Sequence, residues 1–473
     1  MLKTLFLNPP SFNGYDGGAG SRYQCTREVK SFWYPTWLAQ LAALVEDSRL
    51  IDAPARGLTL DKILPLSKEY EFLVIYTSTP SFPNDVKIAE AFKCRNKNLI
   101  IGFCGAHVAI NPDHSIMASD AIDFVAGNEF DFTIKEVAEG NAIEDVDGLT
   151  YKYNGKPIHN KSRSIIENMD TLPWVTKVYK DHLVTTDYYN GYMLHPYMSF
   201  YTGRGCKSRC SFCLWPQTIS GHNYRTRSVK NIAAEVLWAR DNFPEIKEFF
   251  FDDDTLTDNI PHVEALAKEI GKLGITWSCN AKANVPYETL KIMKDNGLRL
   301  LLVGYESGNQ KILVNIKKGI RLDIARQFTR DCHQLGILIH GTFIVGLPGE
   351  TSETIEETIN YAQELNPQTI QVSLPAAYPG TLLYKQATEN GWLIANENLV
   401  GNNGVQHSIL SYPHLSSKEI FEAVDNFYKR FYFRPKKMAT LFFEMCSDWE
   451  IMRRRLREGI EFFKFLFGRE NPI

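Results

Sequence analysis

Short apolar runs alternate with helix-spaced apolar positions along the first third of the chain. Residues 36–46 and 86–93 repeat apolar side chains at the i, i+3, i+4 spacing of a helix with one buried face. This alternation predicts an α/β fold that begins with a doubly wound, Rossmann-like parallel sheet, whose ligands bind beyond the carboxyl ends of the strands. The strand-length apolar runs lie at residues 4–7, 50–52, 72–76 and 99–103.

A second alternating pattern follows residues 145–195, where periodicity fades into short extended pieces and turns typical of a connector. Six βα repeats of this length predict a partial (β/α)6 TIM barrel with its active site at the strand C-termini. The predicted strands are residues 198–202, 248–251, 276–279, 299–304, 337–345 and 369–374, and the helices are 261–272, 287–295, 322–335 and 352–364, with another starting near 228. We therefore expect domains at 1–144 and 196–395, a connector at 145–195 and a helical C-terminal extension at 396–473.

Composition narrows the functional classes. The 473 residues carry a formal net charge of −3, so no broad positive field attracts nucleic acid, and a nucleic-acid partner is not expected. The nine cysteines are odd in number and outside one loop are widely spaced, which indicates a reducing cytoplasm and not a disulfide framework. Apolar runs stay shorter than the ~18 residues of a membrane-spanning helix.

One short loop carries the most informative chemistry. Cys206, Cys210 and Cys213 are spaced as C-x3-C-x2-C directly after a predicted strand. Three thiolates can hold three irons of a [4Fe-4S] cluster and leave the fourth iron open to a small molecule, which favours a catalytic cluster. The alternative is a zinc site in which the three thiols are completed by a fourth ligand, and His222 is the nearest donor.

Polar side chains follow several predicted strands. Three consecutive carboxylates, residues 252–254, end one strand and would repel each other unless a positive group lies among them. Glu306 and Ser307 follow another strand and can hydrogen-bond ribose hydroxyls or an ammonium group, while Asn280 and Lys282 can contact a carboxylate or hydroxyls. Helix capping is the alternative for Ser307 and for the acidic run, and plain solvation is the alternative for Asn280 and Lys282.

The cysteine loop, a βα-repeat barrel and the Glu-Ser-Gly and Gly-Leu-Pro-Gly-Glu segments together resemble radical S-adenosylmethionine (radical SAM) enzymes over residues 196–385. The resemblance implies that Cys206, Cys210 and Cys213 ligate the [4Fe-4S] cluster and are catalytic, while SAM chelates the open iron. It places the remaining cofactor contacts at six positions, although the family's Gly-Gly-Glu segment is replaced here by residues 252–254. These contacts are Asp253, Glu306, Ser307, Ile344, Gly346 and Tyr378.

The first third resembles the cobalamin-binding domain of one large radical SAM class, through residues 8–10, 34–39, 105–107 and 127–129. A D-x-H-x-x-G motif is missing, and residues 11–30 contain no histidine. Either cobalamin binds without a protein ligand on its lower face, or the pocket no longer binds it.

Further stretches at residues 17–23, 27–34 and 213–218 resemble radical SAM enzymes of hopanoid biosynthesis. That resemblance implies reductive cleavage of SAM to a 5′-deoxyadenosyl radical and contraction of the glucosamine headgroup of bacteriohopanetetrol to a cyclitol ether. The implied partners are a hopanoid lipid substrate and reduced flavodoxin or ferredoxin as electron donor. Two alternatives stay open, a cobalamin-dependent radical SAM methyltransferase and a non-catalytic iron–sulfur carrier.

The C-terminal tail combines basic residues at 453–457 with aromatic residues at 462–467. Such a helix suits the membrane interface, which would make a cytoplasmic protein peripheral on the inner face of the cytoplasmic membrane. An amphipathic helix packed on the barrel with its arginines in water fits the same pattern.

Overall fold

Two mainly parallel sheets form the body of the protein in a computed structural model, which describes residues 1–12, 28–394, 399–401, 404–447 and 449–468. The first sheet has the strand order β2-β1-β3-β4-β5-β6-β7. Its first five strands are parallel, β6 runs antiparallel to β5, and β7 runs antiparallel to β6. The strands are β1 (Thr4–Asn8), β2 (Ser48–Asp52), β3 (Phe72–Tyr76), β4 (Ile100–Cys104), β5 (Phe124–Ala126), β6 (Leu149–Tyr153) and β7 (Lys156–His159).

Helices cover both faces of this sheet. The central strands β1 and β3 are therefore buried along their whole length, as expected for parallel strands covered on both faces. The helices are α1 (Thr36–Leu44), α2 (Ala53–Arg56), α3 (Leu60–Ile63), α4 (Phe82–Arg95), α5 (Ala106–Ile110), α6 (Pro112–Met117) and α7 (Asp131–Ala138), followed by α8 (Val175–His182).

The second sheet is a six-stranded parallel array in the order β15-β14-β13-β12-β11-β8, so each of its strands lies beside the next strand of the same sheet along the chain. β8 and β15 are its edges, which gives a partial barrel. Its strands are β8 (Tyr197–Phe200), β11 (Glu248–Phe251), β12 (Trp277–Ala281), β13 (Leu298–Glu306), β14 (Leu338–Ile344) and β15 (Thr369–Ser373), and β9 (Gly203–Arg204) and β10 (Arg225–Thr226) form a separate hairpin.

Helices connect the barrel strands in turn. α10 begins at a Ser228 cap and α15 at a Thr351 capping box, so hydroxyl groups satisfy the exposed N–H groups of the first turn. These helices are α9 (Trp215–Thr218), α10 (Val229–Asn242), α11 (Ile260–Gly271), α12 (Tyr287–Asp295), α13 (Gln310–Asn315), α14 (Leu322–Gln334), α15 (Ser352–Leu365) and α16 (Leu382–Glu389).

The predicted α/β class with parallel strands is confirmed. Part of the segment interpreted as a connector differs, because β6 and β7 extend the first sheet to residue 159. Their side chains are polar or half-exposed, so they lack the apolar run that marks the inner strands. Residues 17–23, which carry part of the hopanoid resemblance, and the predicted boundary at 395 and 396 lie outside the described residues.

Three helices form the C-terminal part: α17 (Ser417–Tyr432), α18 (Pro435–Ser447) and α19 (Trp449–Gly468). α17 packs against β15 and α15, and the hydroxyl of its Tyr428 accepts a hydrogen bond of 2.8 Å from the Val372 N–H. None of the helices in the described ranges combines the length and apolarity needed to span a bilayer.

Two buried ion pairs join the hairpin to the first domain. Arg204 donates to both carboxylate oxygens of Asp131 at 2.7 and 2.9 Å, and Arg225 does the same to Glu129 at 2.8 and 2.7 Å. The Arg204 guanidinium also lies 4.4 Å from the ring centre of Trp37 in α1. Because a buried charge without its partner is costly, these pairs hold the cysteine loop in a defined position against the first sheet.

Candidate functional site

A cavity of about 250 Å³ opens at the carboxyl ends of the barrel strands, where the repeat pattern predicts the active site. Cys206, Cys210 and Cys213 all line it. The structure therefore brings the three cysteines to the same cavity as the ends of β11, β12, β13 and β14. Other predicted residues on its wall are Asn280, Lys282, Glu306, Ile344 and Tyr378.

The cysteine loop is held by backbone contacts and by polar side chains. Cys206 is buried, with its sulfur 3.6 Å from the Asp258 carboxylate and 3.7 Å from the Thr255 hydroxyl. The Gln217 amide donates to the Cys213 carbonyl at 2.6 Å. Burial raises the pKa of the Cys210 thiol, while the nearby positive charge of Lys318 opposes that rise.

His222, the alternative zinc ligand, has a different role in this geometry. Its Nδ1 lies 2.9 Å from the Ser208 carbonyl and 3.3 Å from the Cys206 carbonyl, so the ring braces the cysteine loop. His222 is not among the described residues that line the cavity. The donor set facing the cavity from this loop is therefore three thiols, which matches a cluster held at three irons.

Glu306 and Lys318 form a buried ion pair on the cavity wall, with Nζ 2.6 Å from Oε1. Lys318 lies in no motif that predicts its place here. Burial lowers the pKa of its ammonium group, but Glu306 and the thiols of Cys210 and Cys213 together raise it by more, so the net pKa is raised. Glu306 lies in the left-handed region with φ of 62°, where the β13–β14 register shifts. A Cβ at Gly304 would lie 2.4 Å from Glu306 Oε1 and 2.6 Å from Lys318 Nζ, so a side chain there would displace the charged ends of this pair.

The three carboxylates after β11 divide between two environments. Asp252 and Asp254 line the cavity, whereas Asp253 is fully buried away from it. Asp253 accepts hydrogen bonds from the Thr202 N–H at 2.5 Å and from the hydroxyls of Thr202 and Tyr224, both at 2.6 Å. Burial raises its pKa to about 6, and these hydrogen bonds oppose the rise. The structure therefore does not bring Asp253 to the cavity.

Ser307 and Gly346 are also placed behind the wall. The Ser307 hydroxyl lies 3.2 Å from that of Thr358 and is fully buried. The Gly346 N–H donates to Glu350 at 2.7 Å, and the Gly346 carbonyl accepts from the Tyr412 hydroxyl at 2.8 Å. These contacts order the loop that follows β14, whose last residue, Ile344, lines the cavity.

An aromatic wall closes the inner side of the cavity, and sequence reasoning did not identify it. Tyr192 stacks on His340 with ring centres 4.0 Å apart, and Trp33 packs edge-to-face against Tyr192 at 6.4 Å. Trp33 comes from the first domain, Tyr192 from the segment before the barrel and His340 from β14. No local pattern in the sequence links three residues so far apart along the chain.

The crevice of the first sheet lies beyond the ends of β3 and β4. The His107 ring stacks on Phe82 at 4.4 Å, and its Nδ1 lies 3.2 Å from the Thr79 hydroxyl. His107 Nε2 is buried and has no hydrogen-bond partner within the described ranges of the chain, and burial lowers the pKa of this histidine to about 4, so the ring is neutral at pH 7. Gly105, with φ of 114°, lets the chain pass Thr77, whose carbonyl oxygen would be 2.3 Å from a Cβ at this position.

Sequence comparison matches residues 200–362 to the Radical SAM superfamily. The chain is also similar to an uncharacterized methyltransferase of Pyrococcus horikoshii, with 30% identity over 460 residues that cover 94% of this chain and 95% of that protein. The matched segment begins at the end of β8 and contains all three cavity cysteines.

Two solved structures share the fold over both domains. The radical S-adenosylmethionine methyltransferase TsrM from Kitasatospora setae, with tryptophan and a SAM analogue bound, has a TM-score of 0.68 and 14% identity, covering 92% of this chain and 90% of that one. The cobalamin-dependent S-adenosylmethionine radical enzyme OxsB, with aqua-cobalamin and SAM bound, has a TM-score of 0.69 and 14% identity, covering 98% and 72%.

Proposed function

The chain belongs to the radical SAM superfamily, and from that premise we propose that it is a cobalamin-dependent radical SAM methyltransferase. The observation that carries this proposal is the extent of the similarity. It reaches a methyltransferase over almost the whole of both chains, and over both domains it reaches the folds of the methyltransferase TsrM and of the cobalamin-dependent enzyme OxsB. The reaction would occur in the cavity at the carboxyl ends of the barrel strands.

This proposal reverses the order of the two sequence-based hypotheses. Motif resemblance favoured the hopanoid-biosynthesis protein HpnJ and contraction of a glucosamine ring. The methyltransferase alternative has the stronger support, because the relatives include methyltransferases over most of the chain and the structural likeness reaches the first domain. Hopanoid ring contraction would give a different product, so the same turnover experiment distinguishes it.

A radical SAM domain uses a [4Fe-4S] cluster and SAM, and the three thiols on the cavity wall fit that cluster. When bound, the cluster supplies an electron for SAM cleavage and cobalamin carries a methyl group. Reduced flavodoxin or ferredoxin is the proposed electron donor.

The chain's own residues would bind and orient SAM. Glu306, held by Lys318, presents a carboxylate to ribose hydroxyls or an ammonium group, and Lys318 presents a positive charge beside the thiols. Ile344 and Tyr378, which also line the cavity, offer apolar contact to an adenine ring. Asp252 or Asp254, and not Asp253, would hold the methionyl ammonium, since these two carboxylates reach the cavity.

We assign cobalamin to the crevice of the first sheet, where its polar rim would meet hydroxyl groups. Among the described residues none hydrogen-bonds the buried His107 Nε2, the Thr79 hydroxyl contacts the other ring nitrogen, and the Ser78 hydroxyl lies in the same turn after β3. Gly105 allows the close packing of β4 against the Thr77 backbone that forms this crevice. The crevice faces the barrel, because α5 contacts α9, the helix that follows the cysteine loop.

Anaerobic turnover of the reconstituted full chain with SAM, reductant and cobalamin tests the proposal. Release of S-adenosylhomocysteine together with 5′-deoxyadenosine, and a substrate mass raised by one methyl group, is the expected result. A glucosaminyl hopanoid converted to a ring-contracted product of unchanged mass would support the ring-contraction hypothesis instead. Intact SAM under all conditions would refute both.

A further inference from the structure

One face of the C-terminal helical pair is docked on the body of the protein. Phe462 of α19 packs against Tyr428 and Tyr432 of α17, with ring centres 5.4 and 5.5 Å apart. Glu458 is buried and accepts a hydrogen bond of 2.8 Å from the Tyr189 hydroxyl. α19 is therefore an amphipathic helix packed on α17 and on the segment that precedes the barrel.

The opposite face of α18 and α19 is apolar and exposed. The exposed apolar residues of α19 are Trp449, Leu456, Ile460, Phe463 and Phe467. They are separated by seven, four, three and four positions, so they form one stripe along the helix. α18 packs beside α19 and exposes two further phenylalanines, so the two helices together present a large exposed apolar surface. The most exposed members are Phe442 (62%), Phe443 (71%), Trp449 (73%), Ile460 (58%) and Phe467 (80%), with Leu456 and Phe463 between them.

Single exposed apolar residues are ordinary on protein surfaces, but a contiguous patch of large aromatic side chains indicates an interaction site. The charges beside the patch restrict its partner. Among the side chains of α18 and α19 that the structure describes, every exposed charged group is basic, namely Lys436, Arg453, Arg457 and Lys464. The described acidic groups point inward, where Glu458 is buried and Glu461 accepts a hydrogen bond from the Lys30 N–H at 2.8 Å.

We propose that the α18–α19 face binds the surface of an anionic lipid bilayer. Tryptophan and phenylalanine side chains insert at the boundary between headgroups and acyl chains, and lysine and arginine attract the negative headgroups. The aromatic content and the basic surroundings favour a bilayer over a second copy of the chain, whose identical basic groups would meet across a symmetric contact. The docked face would hold the cavity at a constant orientation to that surface.

Flotation of the purified full-length chain with vesicles tests this binding without substrate or cofactor turnover, so its result is independent of the proposed methyl transfer. Vesicles of phosphatidylcholine with 30% phosphatidylglycerol are compared with pure phosphatidylcholine, since roughly a third of anionic lipid gives a strong surface potential. We expect binding to the anionic vesicles that weakens as salt concentration rises.

The paired variant Phe443→Glu/Phe467→Glu should lower the vesicle partition coefficient by roughly tenfold or more, because two inserted rings are replaced by charges. Tyr153→Glu/Ile324→Glu is the matched control, since it adds the same charge at exposed apolar positions elsewhere. Arg453→Gln/Lys464→Gln should weaken binding to anionic vesicles only. Thermal melts confirm that each variant is folded.

Three outcomes would overturn the proposal. These are no vesicle binding by the wild-type chain, equal binding to neutral and anionic vesicles, or unchanged binding by the Phe443→Glu/Phe467→Glu variant. Light scattering on the same samples identifies the competing occupant: a wild-type dimer that the same variant converts to monomer, without vesicle binding, would assign the face to a second copy of the chain.

Discussion

The carboxyl edges of the two parallel sheets obey the same architectural rule but are filled differently. The barrel edge holds three thiols, an ion pair and an aromatic wall around a cavity of about 250 Å³. The edge of the first sheet holds hydroxyls around the buried Asp85 and a neutral His107 stacked on Phe82. Fold topology therefore locates both crevices, whereas the side chains that fill them decide which chemistry each supports.

Removing one thiol should have the largest effect on activity. It should change the barrel edge and leave the edge of the first sheet intact. Cys210→Ala deprives the cluster of one of its three ligands, so we expect loss of bound iron and of SAM cleavage. Iron analysis and visible absorption after anaerobic reconstitution measure the loss. Cys94→Ala, at an exposed cysteine of the first domain, is the control and should keep its iron. Normal iron content and turnover in Cys210→Ala would refute the assignment.

Cobalamin binding by the same variant tests whether the two crevices are independent. If the two crevices bind their cofactors independently, Cys210→Ala should still bind cobalamin as tightly as the wild-type chain, measured by the spectrum of the bound corrinoid after gel filtration. Loss of both cofactors in a folded variant would show that the two edges form one coupled site.

Breaking the connection between the edges should cost stability. Arg225→Ala leaves the buried Glu129 carboxylate without its bidentate partner, which should lower the free energy of unfolding by about 3–5 kcal/mol. Thermal or urea unfolding measures the change. Arg321→Ala removes an exposed pair with Asp323 and should cost no more than ~1 kcal/mol. Equal effects of the two substitutions would contradict the role of the buried pair.

The first edge should also show a distinct pH dependence. Burial raises the pKa of Asp85 from 3.8 to about 7, so the folded state keeps a proton that the unfolded state releases earlier. The contribution of Asp85 to the free energy of unfolding is fully present below pH 4. It falls by roughly 2–4 kcal/mol as the pH rises toward 7. Asp85→Asn should flatten that decline in melting temperature between pH 4 and 7, while Asp61→Asn, at an exposed position, should follow the wild-type curve.

A smaller effect is expected at the ion pair of the barrel edge. Lys318→Gln removes the charge that holds Glu306, and we expect kcat/KM for SAM to fall about 10- to 100-fold, as for the loss of a charge-assisted hydrogen bond of roughly 1.5–3 kcal/mol. The neighbouring exposed Lys317→Gln is the control. Steady-state kinetics with varied SAM measures both, and equal kinetics in the two variants would remove Lys318 from the site.

Much of the barrel could be predicted because its elements are encoded locally. The predicted strand 248–251 and helix 287–295 coincide with Glu248–Phe251 and Tyr287–Asp295, since each is one apolar run or one amphipathic period bounded by turn residues. β6 and β7 were not predicted, because their half-exposed side chains have no apolar run.

The residues of the candidate site also differ in whether the local sequence reveals them. The cysteines could be identified because three ligands fall within eight residues, whereas Trp33, Tyr192 and Lys318 reach the cavity only through tertiary packing. Asp253 could have been assigned better from the sequence. An extended chain alternates its side chains, so Asp252 and Asp254 face one side and Asp253 the other.

Gly304 has a consequence for how the barrel edge could be altered. Its missing side chain is the space that the carboxylate of Glu306 and the ammonium of Lys318 occupy, within 2.4 and 2.6 Å of where a methyl carbon would lie. One added carbon at this single backbone position would therefore act as a steric wedge, displacing two charges at once while every polar group of the enzyme remained chemically intact.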